Sequence, residues 1–260
     1  MGDKQRIVVK VGSNVLTRDD GKLDVTRMSA LVDQMAWLKR QGHEVILVSS
    51  GAVACGRSEL QVAHELDSVE QRQLFSALGQ VKLIGLYYDL FREFGIHVGQ
   101  VLTMKENFEP GEQYDNQRAC MAVMLENGVL PIVNENDTVC VTELMFTDND
   151  ELSGLIARMM KADTLILLSN IDGIYTGHPD HPSSELLPEV TLTDDLSAYI
   201  QTEKSAFGRG GMHSKYTTAR NVQAAGIRVI IANGKRDNIL IRLTEYPDDT
   251  PHTEFIASNN

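Results

Sequence analysis

The sequence predicts an α/β fold: a mostly parallel central sheet with helices on both faces. Three observations predict it. Short β-rich runs alternate with helical patterns along most of the chain. The helical stretches are long enough to serve as right-handed crossovers between parallel strands. Small, polar or glycine residues follow four of the strands at their carboxyl ends, where open parallel sheets bind ligands.

Arg6 to Val11 (RIVVKV) reads as the first strand, broken by Gly12 and Ser13. Asp24 to Gln41 carries Leu31, Met35 and Leu38 at helical spacing and ends at Gly42, where a helix C-terminal glycine belongs. Val45 to Val48 is the second strand and enters Ser49-Ser50-Gly51-Ala52. A long helical stretch from about Val69 to Phe94 is interrupted at Gly79 and Gly85; its Phe75, Tyr87, Tyr88 and Phe91 read as core or subunit contact. His97 to Leu102 is a third strand, Gln113 to Asn127 a helix, and Val129 to Val133 a fourth strand running into Asn134-Glu135-Asn136-Asp137. A short hairpin is expected over Val139 to Phe146, then a helix from Glu151 to Lys161 and a fifth strand, Thr164 to Leu168. Gly177 to Glu185 is a Pro/Ser/His-rich loop. Met212 to Ala225 reads as helix and Arg228 to Ile231 as a late strand. No internal repeat, low-complexity tract or linker divides the 260 residues, so one domain is expected over 1–260, with two lobes.

Composition narrows the function classes. Apolar residues make up 42% and charged residues 23%, ordinary for a soluble globular protein. Lys plus Arg total 24 and Asp plus Glu 36, so the formal charge is 24 − 36 = −12. That argues against a nucleic-acid partner, which wants a basic face, but leaves room for a small anion held by a few local cations. Cys55, Cys120 and Cys140 are odd in number and widely spaced, which favours neither disulfides nor a zinc site; they read as small buried residues. The N-terminus has no signal-peptide core and no apolar run approaches the ~18 residues a membrane span needs. A cytoplasmic, soluble protein without a membrane partner is expected.

The strand-end clusters are Lys10, Gly12 and Ser13; Ser49, Ser50, Gly51 and Ala52; Asn134, Asn136 and Asp137; and Ser169, Asn170, Asp172 and Gly173. Any one of them is explained by turn chemistry; four in register point to one crevice. Gly208-Arg209-Gly210-Gly211-Met212 directly precedes a helix whose first turn holds Lys215, a pattern suited to an oxyanion, though a flexible surface loop gives the same pattern. Gly51-x4-Gly56-Arg57-Ser58 only approaches a Walker phosphate loop: arginine stands where that chemistry wants lysine. Asp148-Asn149-Asp150-Glu151 reads first as a helix cap and second as a carboxylate cluster that orients cations. His178 and His181 in a Pro-rich loop are too few for a metal site.

These motifs in this order resemble the amino acid kinase family, in its glutamate kinase branch. The resemblance rests on Val9-Lys10-Val11-Gly12-Ser13, Ser49 to Val53, Pro131 to Thr138 with its NENDT run, Asp148-Asn149-Asp150, Asp172 to Tyr175, and the glycine loop ending Gly210-Gly211-Met212. It implies a three-layer α/β/α sandwich with a mostly parallel central sheet, residues 1–160 forming the acceptor side and 161–260 the nucleotide side. It implies ATP-dependent phosphorylation of the L-glutamate side-chain carboxylate, the first step of proline biosynthesis. Lys10 and Lys215 would contact the transferred phosphoryl group and Asp150 would hold both lysines. Ser50, Gly51, Ala52, Asn134, Asp137, Asp148 and Asn149 would bind the acceptor. Gly12, Ser13, Ser169, Asn170, Gly210, Gly211 and Met212, with both lysines, would bind ATP. Departures from the family pattern, Arg209, His213, Ser214 and Asn170, fall on the nucleotide side. After Leu243 some 260 − 243 = 17 residues remain, so the C-terminal PUA module of many bacterial members is not expected. The family also implies a homo-oligomer, dimer or tetramer, and proline as a feedback inhibitor.

The implied chemistry suits the residues. A glutamate side chain, with a reference pKa of about 4.3, is ionised at pH 7 and needs no general base. The obstacle is charge repulsion, roughly 4 kcal/mol for two unit charges at about 4 Å in an effective dielectric near 20. Lysines, Mg²⁺ and backbone N–H groups must offset it. Mg²⁺ is expected on the ATP phosphates and water, without protein metal ligands. Two rivals stay open: a kinase of the same fold with another substrate, and a non-catalytic nucleotide- or amino-acid-binding regulator.

Overall fold

Strand β1 (Arg6–Val11) is buried at every position but its first, because it lies inside a sheet covered on both faces. The computed structural model describes residues 4–140, 146, 148–196, 199 and 211–257. After β1 the chain forms a short α1 (Ser13–Leu16), α2 (Val25–Arg40), β2 (Glu44–Ser49), α3 (Ala52–Glu59), α4 (Ser68–Arg92), β3 (Val98–Thr103), α5 (Glu112–Glu126) and β4 (Leu130–Glu135). It continues through α6 (Asn149–Met159), β5 (Thr164–Ser169), β6 (Glu189–Val190), α7 (Met212–Gln223), β7 (Arg228–Asn233), α8 (Ile239–Glu245) and β8 (His252–Phe255).

Among the described residues the strands form one eight-stranded sheet in the order β3-β4-β2-β1-β5-β7-β8-β6. Pairing is parallel from β3 across to β7; β8 runs antiparallel to β7, and β6 parallel to β8. The period-two alternation of a strand sorts side chains into two cores. Ile7, Val9 and Val11, with Val45, Leu47, Ile166 and Leu168, face α2, α4 and α8. Val8, Ile46, Val48, Leu165, Leu167, Val229 and Ile231 face α5, α6 and α7. That is the expected three-layer α/β/α arrangement. Each such aliphatic side chain contributes about 1.5–3 kcal/mol on burial, which is why central strands buried on both faces read as continuous apolar runs.

The long helix is not interrupted. An Asp67–Glu70 capping box starts α4, and the helix runs through both glycines. Gly79 is there for close approach: a Cβ on it would lie 1.7 Å from the Ala52 carbonyl oxygen, and one on Gly56 would lie 1.9 Å from that of Phe75. Two helices therefore touch backbone to backbone, and Gly56 is a packing glycine, not part of a phosphate loop. Helix α3 itself was not expected, being too short to show a period. Cys55 and Cys140 are buried, but Cys120 is exposed, contrary to expectation. Helix α5 turns only Met121 and Leu125 fully inward, and Cys120 falls outside that stripe. Residues 141–145 of the expected hairpin lie outside the described residues.

The chain leaves β1 toward β2 on one side and β5 toward β7 on the other. Strand order thus reverses between β1 and β5, and a crevice opens beyond their carboxyl ends.

Candidate active site

The crevice has a volume of about 730 Å³ and is lined by residues from the ends of β1, β2, β4 and β5, from α4 and from α7. Its wall holds a lysine pair around one carboxylate. Lys10, the last but one residue of β1, places Nζ 2.6 Å from Asp150 Oδ1. Lys215, in the first turn of α7, places Nζ 2.9 Å from Asp150 Oδ2. Asp150 sits in the first turn of α6 and is completely buried, while both lysines are nearly so. Gly12 makes room for this: a Cβ there would stand 3.0 Å from Lys10 Nζ.

Burial alone would raise the Asp150 carboxyl, but the two ammonium groups outweigh it and hold it below the usual carboxylate range. Burial, reinforced by the Lys215 charge, lowers Lys10 against the pull of Asp150. An ionised carboxylate shared by two ammoniums leaves +2 − 1 = +1 at this end. Asp148 caps α6, its Oδ1 accepting from the Asp150 and Glu151 N–H groups at 2.8 and 3.1 Å. Burial and the neighbouring Asp150 charge raise its carboxyl. The cap reading of Asp148 therefore holds, and the same residue also lines the crevice.

A second polar cluster forms where β4 ends. Asn149 Nδ2 donates to Ser50 Oγ at 2.8 Å and to Asn134 Oδ1 at 3.0 Å. Asn134 Nδ2 donates to Gln80 Oε1 at 2.9 Å. The end of β2, the end of β4 and the start of α6 are thus joined by amides. Beside them Arg72 of α4 forks across two carboxylates. Its Nε donates to Asp137 Oδ1 at 2.5 Å and its Nη2 to Glu135 Oε2 at 2.5 Å. Here the sum is −2 + 1 = −1. One crevice therefore has a cationic end and an anionic end.

The structure brings Lys10, Gly12, Ser13, Ser50, Gly51, Ala52, Asn134, Asp137, Asp148, Asn149, Ser169, Asn170 and Lys215 to the crevice wall, with Asp150 directly behind the lysines. Gly51 is in the left-handed region at φ 108°, which a glycine takes without strain, and it starts α3. Gly211 caps α7, and Met212 packs on the second core rather than into the crevice. Gly210 lies outside the described residues. His178 and His181 are exposed in their loop. Arg72, Glu135 and Gln80 went unrecognised. Glu135 was inside a quoted motif, but nothing in the sequence marks Arg72 or Gln80, which lie on a helix that touches the strand ends only in three dimensions.

A buried cation pair beside a distinct anionic subsite, at the switch point of a parallel sheet, is suited to an acceptor phosphotransferase. The chain belongs to the amino acid kinase family, whose model matches residues 5–233. It is 67% identical over 253 residues to a protein named "Glutamate 5-kinase" from Bacteroides thetaiotaomicron, an alignment covering 97% of this chain and 70% of that one. It is 46% identical to another of that name from Chlorobaculum tepidum, covering 97% and 69%. Among solved structures, the carbamate kinase from Giardia lamblia bound to AMP-PNP superposes with TM-score 0.70 at 17% identity, covering 99% of this chain and 100% of that one. The UMP kinase from Ureaplasma parvum gives 0.65 at 14% identity, covering 98% and 100%. These two likenesses show the fold. No described helix is long and apolar enough to cross a membrane.

Proposed function

We infer that this chain catalyses the glutamate 5-kinase reaction: transfer of the γ-phosphoryl group of ATP to the side-chain carboxylate of L-glutamate, giving L-glutamyl 5-phosphate and ADP, the first step of proline synthesis. The observation that carries the reading is the Lys10–Asp150–Lys215 cluster at the crevice wall, in a chain 67% identical to a glutamate 5-kinase.

A side-chain carboxylate oxygen of glutamate attacks Pγ, and the bond from Pγ to the β–γ bridging oxygen breaks with its electron pair leaving on ADP. Lys10 and Lys215 meet the charge that gathers on the transferred group, and Asp150 keeps both ammoniums aimed. Preorganised donors of this kind act without reorganising during the reaction. Asp137 and Asp148 face the α-ammonium of glutamate, and Ser50, Gly51, Ala52, Asn134 and Asn149 complete its subsite. Gly12, Ser13, Ser169 and Asn170 line the phosphate path, with Gly211 capping α7 beside it; Met212, implied by the resemblance to bind ATP, has no described contact with the crevice, and Gly210, implied likewise, lies outside the described residues. The acceptor side occupies residues 1–160 and the nucleotide side 161–260 of a single domain. Mg²⁺ is held mainly by ATP phosphates and water; among the described residues no cluster of three or more His, Cys, Asp or Glu side chains is placed to hold a metal ion. When bound, Mg²⁺ supplies further neutralisation of phosphate charge. The enzyme works in the cytoplasm as a homo-oligomer, a dimer or tetramer, with proline as feedback inhibitor and without nucleic-acid or membrane partners.

The test is incubation with ATP, Mg²⁺, hydroxylamine and a panel of glutamate, aspartate, N-acetylglutamate and carbamate. Trapped γ-glutamyl hydroxamate with glutamate alone is the expected result. ATP consumption with another acceptor, or none with glutamate, would overturn the assignment.

A further inference from the structure

We propose that Arg72 is a positioning residue that sets recognition of the acceptor's α-ammonium group, an inference that rests on the glutamate kinase reading above. Two carboxylates, Glu135 and Asp137, stand side by side at the end of β4, with side chains only 7% and 12% exposed. Two like charges so close cannot both remain ionised and fixed without a counter-charge. Arg72, itself 13% exposed, supplies it through a planar fork that reaches both at once.

The fork does more than balance charge. Glu135 uses its other oxygen to accept the Phe146 backbone N–H at 3.1 Å. Phe146 is buried in the second core, and Asp148, Asn149 and Asp150 begin two residues further along the chain. Arg72 is thus the start of a chain of contacts through Glu135 to the segment that carries the acceptor and lysine-holding residues. Its neighbour Gln73 donates to the Thr138 carbonyl at 2.9 Å, so α4 grips both sides of Asp137. The helix that carries these side chains is fixed by its glycine contact with α3. The outcome is an anionic subsite of net charge −1 with one orientation, matched to a single ammonium. With Arg72 absent, Asp137 and Glu135 both lose the guanidinium fork that orients them, and the two carboxylates repel without its charge between them.

The experiment measures steady-state kinetics with separate glutamate and ATP titrations for wild type, Arg72→Gln and Arg72→Lys, with glutarate as an acceptor that lacks the ammonium. Arg72→Gln is expected to raise the KM for glutamate about tenfold or more, to leave the KM for ATP within about twofold, and to narrow the preference for glutamate over glutarate. Arg72→Lys is expected to fall between, because an ammonium keeps the charge without the fork. The double variant Arg72→Gln/Glu135→Gln, which removes the more deeply buried of the two carboxylates, serves where the single variant does not fold, and it should show the same raised glutamate KM. An unchanged glutamate KM, or glutamate and ATP KM values rising together, overturns the role of Arg72. Failure of the wild-type protein to form the hydroxamate from glutamate would instead overturn the kinase reading itself, so the two failures are distinct.

Discussion

Replacing Asp150 by Asn keeps the shape of the side chain and removes its charge. Lys10 and Lys215 approach opposite oxygens of that carboxylate at 2.6 and 2.9 Å. Adding the width of the carboxylate puts the two ammonium nitrogens within about 8 Å of each other, and their repulsion is then roughly 2 kcal/mol at an effective dielectric near 20. In wild type Asp150 offsets this; in the variant that carboxylate is gone. That repulsion disfavours the charged pair, in the same direction as the lowering that burial already imposes on Lys10. Turnover in the hydroxamate assay should fall about 10²-fold or more, as when a fixed transition-state donor is lost. The residual rate should decline more steeply with rising pH than in wild type, because Lys10 gives up its proton more readily. Breaking a buried ion cluster also costs about 3–5 kcal/mol of stability, so rates are read well below the variant's melting temperature. Near-normal turnover with an unchanged pH profile would refute the reasoning.

Three further outcomes are expected. Asp137→Ala should raise the KM for glutamate with little change in kcat, since a contact to the ammonium is similar in ground and transition states; an unaltered KM removes Asp137 from the acceptor subsite. Gly79→Ala drives a methyl to 1.7 Å from the Ala52 carbonyl oxygen, and overpacking of this kind costs about 1–3 kcal/mol, so the melting temperature should drop by several degrees; a variant melting like wild type would contradict the close α3–α4 contact. Glu254 would be raised by burial alone, but His252 and Arg228 outweigh that and hold its carboxyl at about 2 against an ordinary 4.5. A depressed carboxyl stabilises above its unfolded value and loses that contribution as pH falls. The melting temperature of Glu254→Gln should therefore lie below wild type at neutral pH, and the gap should close between about pH 4.5 and 2; a gap that persists at the acid end would show that the Arg228–Glu254–His252 cluster is not its source.

The central strands and the crevice were legible in the sequence because burial on both faces leaves unbroken apolar runs, and because strand ends that bind ligands need small and polar residues. Asp148 as a cap was legible from its spacing to Glu151. The lysine cluster was not legible from spacing. Lys10 and Asp150 lie 150 − 10 = 140 residues apart, and only the family resemblance joined them before the sheet did. Gly79 misled because a helical glycine, costing about 1 kcal/mol against alanine, signals a break locally, whereas here the close approach of α3 repays it. Helices α3 and α8 and strands β6 and β8 are too short to carry a period. Arg72 gives no signal, since an arginine on an amphipathic helix looks the same whether it faces water or two carboxylates. Cys120 shows the converse: a residue type usually buried lies outside the inward stripe of α5.

The most direct test of charge neutralisation as the basis of catalysis is the rate of γ-glutamyl hydroxamate formation by Lys10→Ala and Lys215→Ala beside wild type, at saturating glutamate and ATP. Each variant should be slower by about 10²-fold or more. Turnover close to wild type in both would contradict the account.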